Sequence, residues 1–461
     1  MKKQPLVSVY ITNHNYGKYI QEAITSVLNQ TMQDFEIIII DDGSTDNSRA
    51  IIESYANDER IKVIFQQNKG LNVTNNIAMR TASGKYIMRL DADDYLDHNA
   101  LLVLSNALEN DVELGLVFPD YYLVDEEGHI LHVEKRHEFD KDVSLLDQPA
   151  HGACTMIRKD YLMKVNGYDE RYQCQDGYEL WLKFTQTYKV SNVHTPLFYY
   201  RQHGSNLTSN EKKILHTRAN IKKDFLESNG KKSLNTIAII PVRDYKNSKN
   251  NLAFETLGQK AIIDWKIEEV LNAKKINSIV VTSPDELIEE HVLSKYENND
   301  KVIFIKREKR LARLNQDLMG TIDHVIEQET FRKNTPDAIM ILGIEFPFIS
   351  STSMDEAIDT MEIFDTDALI SLRPETNLFF QHHGDGMKAI LNQEKFSKLE
   401  REALYRYTGG ISLSRVDFFR KSGKFIGGQI GHIIVDQKSA HGIFTLYDLE
   451  IARFLATQAA P

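Results

Sequence analysis

Three aspartates in the stretch KYIMRLDADDYLDHN, at residues 85–99, are the residues of this chain best suited to chemistry. Asp91, Asp93 and Asp94 follow directly after the apolar run that ends at Leu90. Carboxylates this close repel one another unless water or a cation screens them. Oxygen ligands of this kind hold Mg²⁺ or Mn²⁺ and leave places for phosphate oxygens. The alternative is an acidic turn in which an aspartate caps the next helix, because such turns are common.

The segment before these aspartates is predicted to be one strand of an α/β sheet. The N-terminal half alternates runs of β-branched residues with amphipathic stretches, which is the pattern of βαβ units. Strands are predicted at 6–11, 35–40, 62–68 and 85–90, with a helix at 18–30. In sheets of this kind ligands bind at the carboxyl ends of the strands, so the aspartates stand where a ligand is expected.

The alternation restarts after a polar, turn-rich stretch, ESNGKKSLN, at residues 227–235. Further strands are predicted at 236–242, 276–283, 301–306, 337–343 and 367–373. A chain of 461 residues is too long for one ordinary core, so two domains are expected, at 1–228 and 235–461. The predicted fold class is α/β, with two Rossmann-like doubly wound domains.

Composition restricts the class of protein and its partners. Apolar residues make up 42% and charged residues 26%, which is typical of globular proteins, and the net charge of -11 argues against general binding to nucleic acid. Two cysteines, Cys154 and Cys174, provide no disulfide framework and suit a reducing cytoplasm. The first apolar run is too short for a signal peptide, and no stretch of about 18 apolar residues predicts a transmembrane span.

Four blocks of the N-terminal half resemble the family 2 glycosyltransferases, which have a GT-A fold. The blocks, which cover about residues 5–210, are VSVYITNHNYGKYIQEAITSVLNQTMQDFEIIIIDDGSTDNSRAII, NKGLNVTNNIAMRTASGKYIMRLDADDYL, GYDERYQCQDGYELWLKF and YYRQHGSNLT. The resemblance implies a nucleotide-sugar donor, Mn²⁺ or Mg²⁺, and a glycan, lipid-linked or protein acceptor. It also implies a cytoplasmic location with peripheral attachment at the inner membrane face.

The same resemblance assigns roles to particular residues. Asp176 is expected to be the catalytic base that takes the proton from the attacking acceptor hydroxyl. The metal ion is expected at Asp93, Asp91 and His203. Donor-binding roles fall on Thr12, His14, Asn15, Asp42, Lys69, Asn76, Asp91 and Ala92. One base and no covalent intermediate imply inversion of configuration, as in inverting glycosidases.

Some of these residues also have a purely structural interpretation. In that interpretation Asp42 caps the following helix, Asp176 belongs to a turn, and His203 is a surface histidine. Trp181 is expected to be mainly a packing residue. Neither cysteine is expected to bind metal, because no matching His/Cys spacing accompanies them.

The second half resembles the cytidylyltransferases that make CMP-activated acidic sugars. The resemblance covers about residues 236–456 and begins with IAIIPVRDYKNSKNNLAFETLGQKAIIDWKIEEVLNAKKINSIVVTSPDELI. It implies a nucleotide site at Arg243, Lys246 and Lys249. It also implies a homodimer formed through this domain.

Several motif positions of that second family are changed. The replacements are Asp244 and Tyr245 for paired glycines, Ile349 for an arginine, and Gly442 and Phe444 for two metal-binding aspartates. Asp448 or Glu450 supply the carboxylates only if the alignment is shifted. Without a metal the phosphoryl chemistry is lost, so this domain is expected to be degenerate.

Three interpretations of function remain open. The first is an inverting, metal-dependent glycosyltransferase that uses a nucleoside-diphosphate sugar, with a UDP-sugar favoured, and whose C-terminal domain serves binding or dimerisation. The second is a bifunctional enzyme whose C-terminal half also makes a CMP-activated acidic sugar. The D-x-D argues for the first, because a CMP-sugar has one phosphate and less need of a metal clamp. The third, a pair of binding modules without catalysis, is disfavoured by the retained Asp42, Asp93 and Asp176.

Overall fold

A computed structural model gives the fold. It describes residues 4–135, 152–172, 174–203, 211–230, 233–243, 252–313, 316–375, 377, 379–382, 384, 386–390 and 404–457. The chain divides into two compact units, with the boundary between Arg218 and Ala219. That boundary lies within a helix, whereas the sequence placed the end of the first domain at residue 228.

A buried ion pair explains why the second unit begins inside this helix. Lys222 Nζ lies 3.1 Å from Glu356 Oε1 and donates to Thr360 Oγ1 at 2.9 Å. Both charged side chains are almost fully buried. Leaving either of them without its partner would be costly, so the last turns of the helix belong to the second unit.

The first unit is built on one mixed sheet with helices on both faces. Its strands are β1 (Val7–Asn13), β2 (Phe35–Asp42), β3 (Ile61–Gln66), β4 (Tyr86–Asp91), β5 (Tyr95–Leu96), β6 (Leu114–Val124), β7 (Ile130–Glu134), β8 (Met156–Arg158) and β9 (Lys189–Arg201). Its helices are α1 (Ile20–Leu28), α2 (Ser48–Ser54), α3 (Leu71–Thr81), α4 (Ala100–Asn110), α5 (Lys159–Lys164), α6 (Asp176–Thr185) and the start of α7 (Glu211–Ser228). The strand order is β3-β2-β1-β4-β8-β6-β9-β5, and β7 pairs with β6.

Alternating side chains of the central strands supply two cores. Val7, Val9 and Ile11 pack with α1 and α4 on one face of the sheet. Tyr10 and Ile38 pack with α3, α5 and α6 on the other face. Successive residues of a strand point to opposite faces, and helices cover both, so the β-branched run of β2 is buried along its whole length.

The second unit contains a seven-stranded sheet of order β14-β13-β10-β15-β19-β16-β20 and two short hairpins. Its strands are β10 (Thr236–Pro241), β11 (Thr256–Leu257), β12 (Lys260–Ala261), β13 (Ile276–Ser283), β14 (Val302–Lys306), β15 (Ala338–Ile341), β16 (Ala368–Glu375), β17 (Phe380–His382), β18 (Met387–Ala389), β19 (Leu404–Arg415) and β20 (Ile430–Ile434). Its helices are α8 (Ile262–Asn272), α9 (Glu286–Tyr296), α10 (Met319–Ile326), α11 (Glu329–Lys333), α12 (Ser351–Phe364), α13 (Val416–Ser422) and α14 (Leu446–Thr457).

The two large sheets share one topology. In each, four parallel strands are followed by an antiparallel strand, which is β8 in the first unit and β19 in the second. A pair of mutually parallel strands comes next, β6 with β9 and β16 with β20. The predicted α/β class is confirmed, whereas the antiparallel strand inside each sheet was not predicted.

None of the described helices combines the length and the apolar character that a membrane crossing requires.

Glu36 of β2 gives the first prediction, which concerns stability. Its buried carboxylate accepts from Ser8 Oγ at 2.6 Å and from Ser83 N at 2.6 Å, and it pairs with Lys62 at 2.7 Å. Burial alone would raise the pKa of Glu36, but these contacts lower it to about 2. Glu36→Gln is therefore expected to cost about 1–3 kcal/mol of stability at pH 7, measured by denaturant unfolding.

The stability that Glu36→Gln loses should be smaller at low pH than at neutral pH. The folded-state pKa of Glu36 lies below the ordinary value of 4.5. The stabilisation by its carboxylate is therefore present above pH 4.5 and is lost as the pH falls toward 2. The deficit of Glu36→Gln should be smaller at pH 3.5 than at pH 7. Glu53→Gln, in an exposed pair with Arg49, is the control and should stay within about 0.5 kcal/mol of wild type. An equal deficit of Glu36→Gln at both pH values would contradict the account.

Candidate functional site

Three neighbouring strands of the first unit carry, at or next to their carboxyl ends, polar residues that the sequence selected. Thr12 is the last residue but one of β1, Asp42 ends β2 and Asp91 ends β4, and these strands are adjacent and parallel. Thr12 lies opposite Asp91 in the strand register, and its Oγ1 donates to Asp91 Oδ1 at 3.1 Å. The carboxyl edge of the sheet therefore brings these side chains together, as parallel packing requires.

Asp42 organises the loop that precedes α3. Its Oδ1 accepts from Gln66 Nε2 and from the backbone amide of Lys69, both at 2.8 Å, and its Oδ2 accepts from the amide of Gly70 at 2.9 Å. Gly70 has φ +87°, a conformation that glycine adopts most easily. Asp42 does not cap α2, because the N-cap of that helix is Asn47. The carboxylate thus fixes a loop at the same edge as Thr12.

Replacing Asp42 by Asn gives the second prediction. The variant loses charge-assisted bonds to the backbone amides of Lys69 and Gly70, so it is expected to lose about 1–3 kcal/mol of stability and to bind nucleotide more weakly. Thermal unfolding with and without UDP measures both effects. Asp111→Asn, which removes a partly exposed carboxylate that accepts from the amide of Glu113 and pairs with Lys189 at 2.8 Å, is the matched control. Full stabilisation of Asp42→Asn by UDP would speak against a role in the donor site.

His14 and Asn15 line the exposed turn after β1. His14 Nε2 lies 3.0 Å from Asn68 Nδ2. Asn15 has φ 63°, a left-handed conformation that Asn tolerates, and its Oδ1 accepts from the amide of Thr45 at 2.7 Å. The amide side chain of Asn15 therefore joins two loops at this edge, beside the predicted donor position.

The acidic turn after β4 is tightly built. The amide of Ala92 donates to Thr12 O at 3.1 Å, and the amide of Asp94 donates to Asp91 O at 3.1 Å. The buried Asp93 Oδ2 lies 2.9 Å from His203 Nε2. His203 is held between two rings, stacked on Tyr19 at 5.8 Å and edge-on to Tyr16 at 5.7 Å. The histidine therefore contacts the acidic turn and is not a surface residue.

The negative charges of this turn repel one another. Burial raises the pKa of Asp93, and the charge of Asp91 raises it further. Burial also raises the pKa of Asp94, with added effects of Asp93 and Asp91. Asp94 Oδ2 is buried and has no hydrogen-bond partner in the described part of the chain. A buried, partly unpaired acidic turn of this kind suits a cation, which would relieve the repulsion.

The predicted metal ligands do not form a closed cluster. Among the described residues, the single group of three whose ligand atoms lie within 4.8 Å of one another is Asp125, Glu127 and His129. Asp125 accepts from the amides of Glu127 and His129, which accounts for that group as a hairpin turn. Carboxylate oxygens are the ligands that Mg²⁺ and Mn²⁺ prefer, and Mg²⁺ is usually bound by one or two carboxylates together with phosphate oxygens.

Some residues that the sequence selected for a functional site have other contacts, and others lie outside the described residues. Asn76 is buried, and its amide donates to Tyr168 O at 2.8 Å and accepts from Tyr168 N at 3.0 Å, so it holds the segment before α6. Lys69 is exposed, and its backbone amide is what reaches Asp42. Helix α6 begins at Asp176, whose side chain lies outside the described residues, as do Lys246 and Lys249. Trp181 is buried against Phe118, as the packing interpretation predicted.

In the second unit, aromatic rings surround the position where the sequence had placed lost carboxylates. A Cβ on Gly442 would lie 2.5 Å from a ring carbon of Phe444 and 2.7 Å from one of Phe346. Ile349 is buried, and a Cβ on Gly410 would lie 2.6 Å from it. No room remains at Gly442 for a side chain unless these rings move.

The carboxylate of Asp448 is used by the start of α14. Its Oδ2 accepts from the amides of Phe444 and Thr445 at 3.1 and 2.8 Å, and from Thr445 Oγ1 at 2.8 Å. These bonds lower the pKa of Asp448, with the Thr445 hydroxyl as the largest cause. The arrangement is that of a capping box, in which Asp448 in the first turn of α14 accepts from the amide of Thr445 before the helix and Thr445 Oγ1 accepts from the amide of Asp448.

Arg243, the remaining described residue of the predicted second nucleotide site, is exposed just after β10. It lies close to the buried Arg307, whose pKa falls to about 10 because of burial and, to a smaller extent, the charge of Arg243. The carboxyl end of β10 is therefore positively charged.

Comparisons with known proteins identify the family of the first unit. The profile of glycosyl transferase family 2 matches residues 8–165. An uncharacterised glycosyltransferase of Methanocaldococcus jannaschii is 31% identical over 207 residues, which cover 43% of this chain and 71% of the relative. The chain belongs to glycosyl transferase family 2.

Two polysaccharide synthases are similar over a smaller share of their length. Chondroitin synthase of Escherichia coli is 41% identical over 132 residues, which cover 28% of this chain and 19% of the synthase. Hyaluronan synthase of Pasteurella multocida is 31% identical over 209 residues, which cover 45% of this chain and 21% of the synthase. The matched part of the chain spans about a fifth of the length of either synthase.

Proposed function

We propose that the chain is an inverting glycosyltransferase that moves a sugar from a nucleoside-diphosphate sugar, with a UDP-sugar favoured, to a hydroxyl group of an acceptor. The observation that carries the proposal is the buried acidic turn at Asp93, next to Thr12 and Asp91 at the carboxyl edge of the sheet. Family membership supplies the reaction class. The sheet edge supplies the place where such a donor binds.

The residues of the acidic turn fit a divalent cation. Asp93 and Asp91 are carboxylates whose mutual repulsion a cation relieves, and His203 contacts Asp93. The two carboxylates would hold Mn²⁺ or Mg²⁺, hard ions that prefer oxygen ligands. When bound, such an ion stabilises the negative charge that grows on the departing diphosphate.

Binding of the donor and removal of the acceptor proton are proposed for other residues of the chain. Thr12, His14 and Asn15 line the edge where the base is proposed to bind, and Asp42 fixes the loop of Lys69 beside it. Ala92, between Asp91 and Asp93, keeps the turn close to β1 through its amide. Asp176 is proposed to take the proton from the acceptor hydroxyl as that oxygen attacks the anomeric carbon. Asn76 is proposed to support the donor wall through the segment at Tyr168.

The acceptor is proposed to be a hydroxyl of a surface glycan, a lipid-linked sugar or a glycoprotein. Similarity to chondroitin and hyaluronan synthases supports a polysaccharide acceptor. The setting is proposed to be the cytoplasm or the inner face of the membrane.

Incubation of the full chain with UDP-, GDP-, dTDP- and CDP-sugars tests this proposal. Oligosaccharide acceptors and Mn²⁺ complete the reaction, and mass spectrometry detects the extended product. Transfer from one donor class, with the opposite anomeric configuration in the product, is the expected result. Absence of transfer and of donor hydrolysis across the panel would count against the proposal.

The second unit is proposed to be a degenerate cytidylyltransferase-like domain that serves binding or dimerisation. The crowding of Gly442 by Phe346 and Phe444, and the use of Asp448 as a cap, support the loss of a metal site there. A monomer in light scattering at micromolar concentration would remove the dimer part of this proposal.

A bifunctional enzyme is the second candidate, favoured by the positive charge at Arg243 and Arg307. It requires that the chain release pyrophosphate from CTP and an acidic sugar in the presence of Mg²⁺. We expect no release above the level of a heat-inactivated sample. Release at a steady rate would make the bifunctional interpretation correct.

A further inference from the structure

Arg201 donates two hydrogen bonds to the acidic turn after β4. Arg201, the last residue of β9, is 2% exposed. Its Nε donates to Asp93 O at 3.0 Å, and its backbone amide donates to Asp94 Oδ1 at 2.9 Å. Two successive residues of the turn are thus fixed by a single residue about a hundred positions later in the chain.

The rest of the guanidinium is anchored to other elements of the first unit. Its Nη1 donates to Glu126 O at 2.8 Å, and its Nη2 donates to Glu22 Oε2 of α1 at 2.6 Å. The cation also lies 4.8 Å from the ring centre of Tyr19. A planar guanidinium with several fixed donors can serve all these acceptors at once, which a lysine ammonium cannot do with the same geometry.

Such an anchor matters because the turn holds three carboxylates close together. Asp91, Asp93 and Asp94 lie within four positions of the chain, and like charges this close repel one another, so a mobile turn would separate them. The segment that provides Arg201 also provides His203, which contacts the Asp93 carboxylate. The backbone carbonyl and the side chain of Asp93 are therefore both positioned by the end of β9.

We propose that Arg201 is a positioning residue for the cation site, because its bonds to Asp93 O and Asp94 Oδ1 set the orientation of Asp93. The inference rests on the proposed function, since it concerns the cation that Asp93 would hold. Arg201 is not placed in contact with donor or acceptor. Partners that orient metal ligands in this way change metal affinity by about 10–100-fold when they are lost.

Arg158 provides a matched control, because it makes the same kind of contacts away from the turn. Its Nε donates to Leu114 O at 2.6 Å, and its Nη2 donates to Leu108 O and Asp111 O. Arg158→Lys and Arg201→Lys both replace an arginine that bonds backbone carbonyls. A purely structural role of Arg201 predicts equal effects of the two substitutions on cation binding.

The test is a titration of the full chain with Mn²⁺ in the presence of UDP, with free Mn²⁺ followed by electron paramagnetic resonance. Arg201→Lys is expected to weaken Mn²⁺ binding at least about tenfold, whereas Arg158→Lys leaves it unchanged. Wild-type affinity in Arg201→Lys, or equal weakening in Arg158→Lys, would overturn the inference. If wild type itself binds no Mn²⁺, the metal part of the proposed function fails, and the inference fails with it.

A milder variant keeps the test decisive if Arg201→Lys does not fold. Glu22→Gln leaves the arginine in place and removes the charge of its half-exposed partner on α1. It is expected to weaken Mn²⁺ binding in the same direction while the chain stays folded. Unchanged Mn²⁺ binding in folded Glu22→Gln would count against a positioning role.

Discussion

Replacing Asp93 by Asn is expected to lower sugar transfer by about 10²–10³-fold. The reason is that Asn cannot supply the negative charge that holds a divalent cation beside the departing diphosphate. Initial rates at saturating donor, with Mn²⁺ present, measure the effect.

The same substitution is not expected to unfold the protein. Burial and the charge of Asp91 raise the pKa of Asp93, so its charged form is disfavoured in the metal-free fold. A carboxyl group whose folded-state pKa is raised destabilises the fold at pH values where the group is charged. Replacing it by a neutral amide removes that charge and therefore does not destabilise the fold further in this way. Asp97→Asn, which alters a carboxylate that accepts from the amide of Asn99 a few residues later, is the control and should keep full activity. Near wild-type transfer by Asp93→Asn would contradict the assigned role.

Replacing Asp176 by Asn is expected to lower transfer by about 10²–10⁴-fold, because an amide cannot accept the proton of the attacking hydroxyl. Donor binding should be unchanged, since the proposed base acts on the acceptor. The measurement is a pair of values, the maximal rate of transfer and the dissociation constant of UDP with Mn²⁺.

Asp169→Asn is the control for this prediction. Asp169 lies in the same sequence block, but its carboxylate pairs with Arg171 at 2.6 Å. Its replacement should change the rate far less than Asp176→Asn does. A normal rate in Asp176→Asn, or loss of UDP binding in place of loss of rate, would show that another residue is the base.

The sequence predicted the sheet edge because the signals for it are local. Runs such as FEIIII mark buried strands, and polar residues directly after them mark the strand ends. Parallel strands then place Thr12, Asp42 and Asp91 at one edge. No long-range information is needed for this part of the site.

The parts that escaped prediction depend on contacts between distant segments. The bond from Arg201 to Asp94 spans 107 residues, and the bonds from Asn76 to Tyr168 span 92. The block YYRQHGSNLT marks the segment that contains Arg201, but nothing local in it shows which distant residues the arginine contacts. The aromatic partners of His203, Tyr16 and Tyr19, lie between β1 and α1, far from His203 in the sequence.

In the second unit, too, contacts between distant residues could not be predicted from the sequence. Gly442 could be recognised in the sequence as a departure from a motif, but the sequence could not show that Phe346 and Phe444 fill the space beside it. The domain boundary also shifted for a long-range reason, because Lys222 is paired with a residue 134 positions later. A polar, turn-rich stretch marks where a linker is favourable, whereas buried pairs decide where a unit begins.

The most direct test of the account is the binding of UDP to the full chain, with and without Mn²⁺, by titration calorimetry of wild type and Asp93→Asn. The account predicts that UDP binds wild type tightly with Mn²⁺ and weakly when EDTA removes the ion. It predicts that Asp93→Asn binds UDP weakly in both conditions. Equal affinity of wild type for UDP with and without the ion, or an equal metal dependence in Asp93→Asn, would contradict a cation site at the acidic turn.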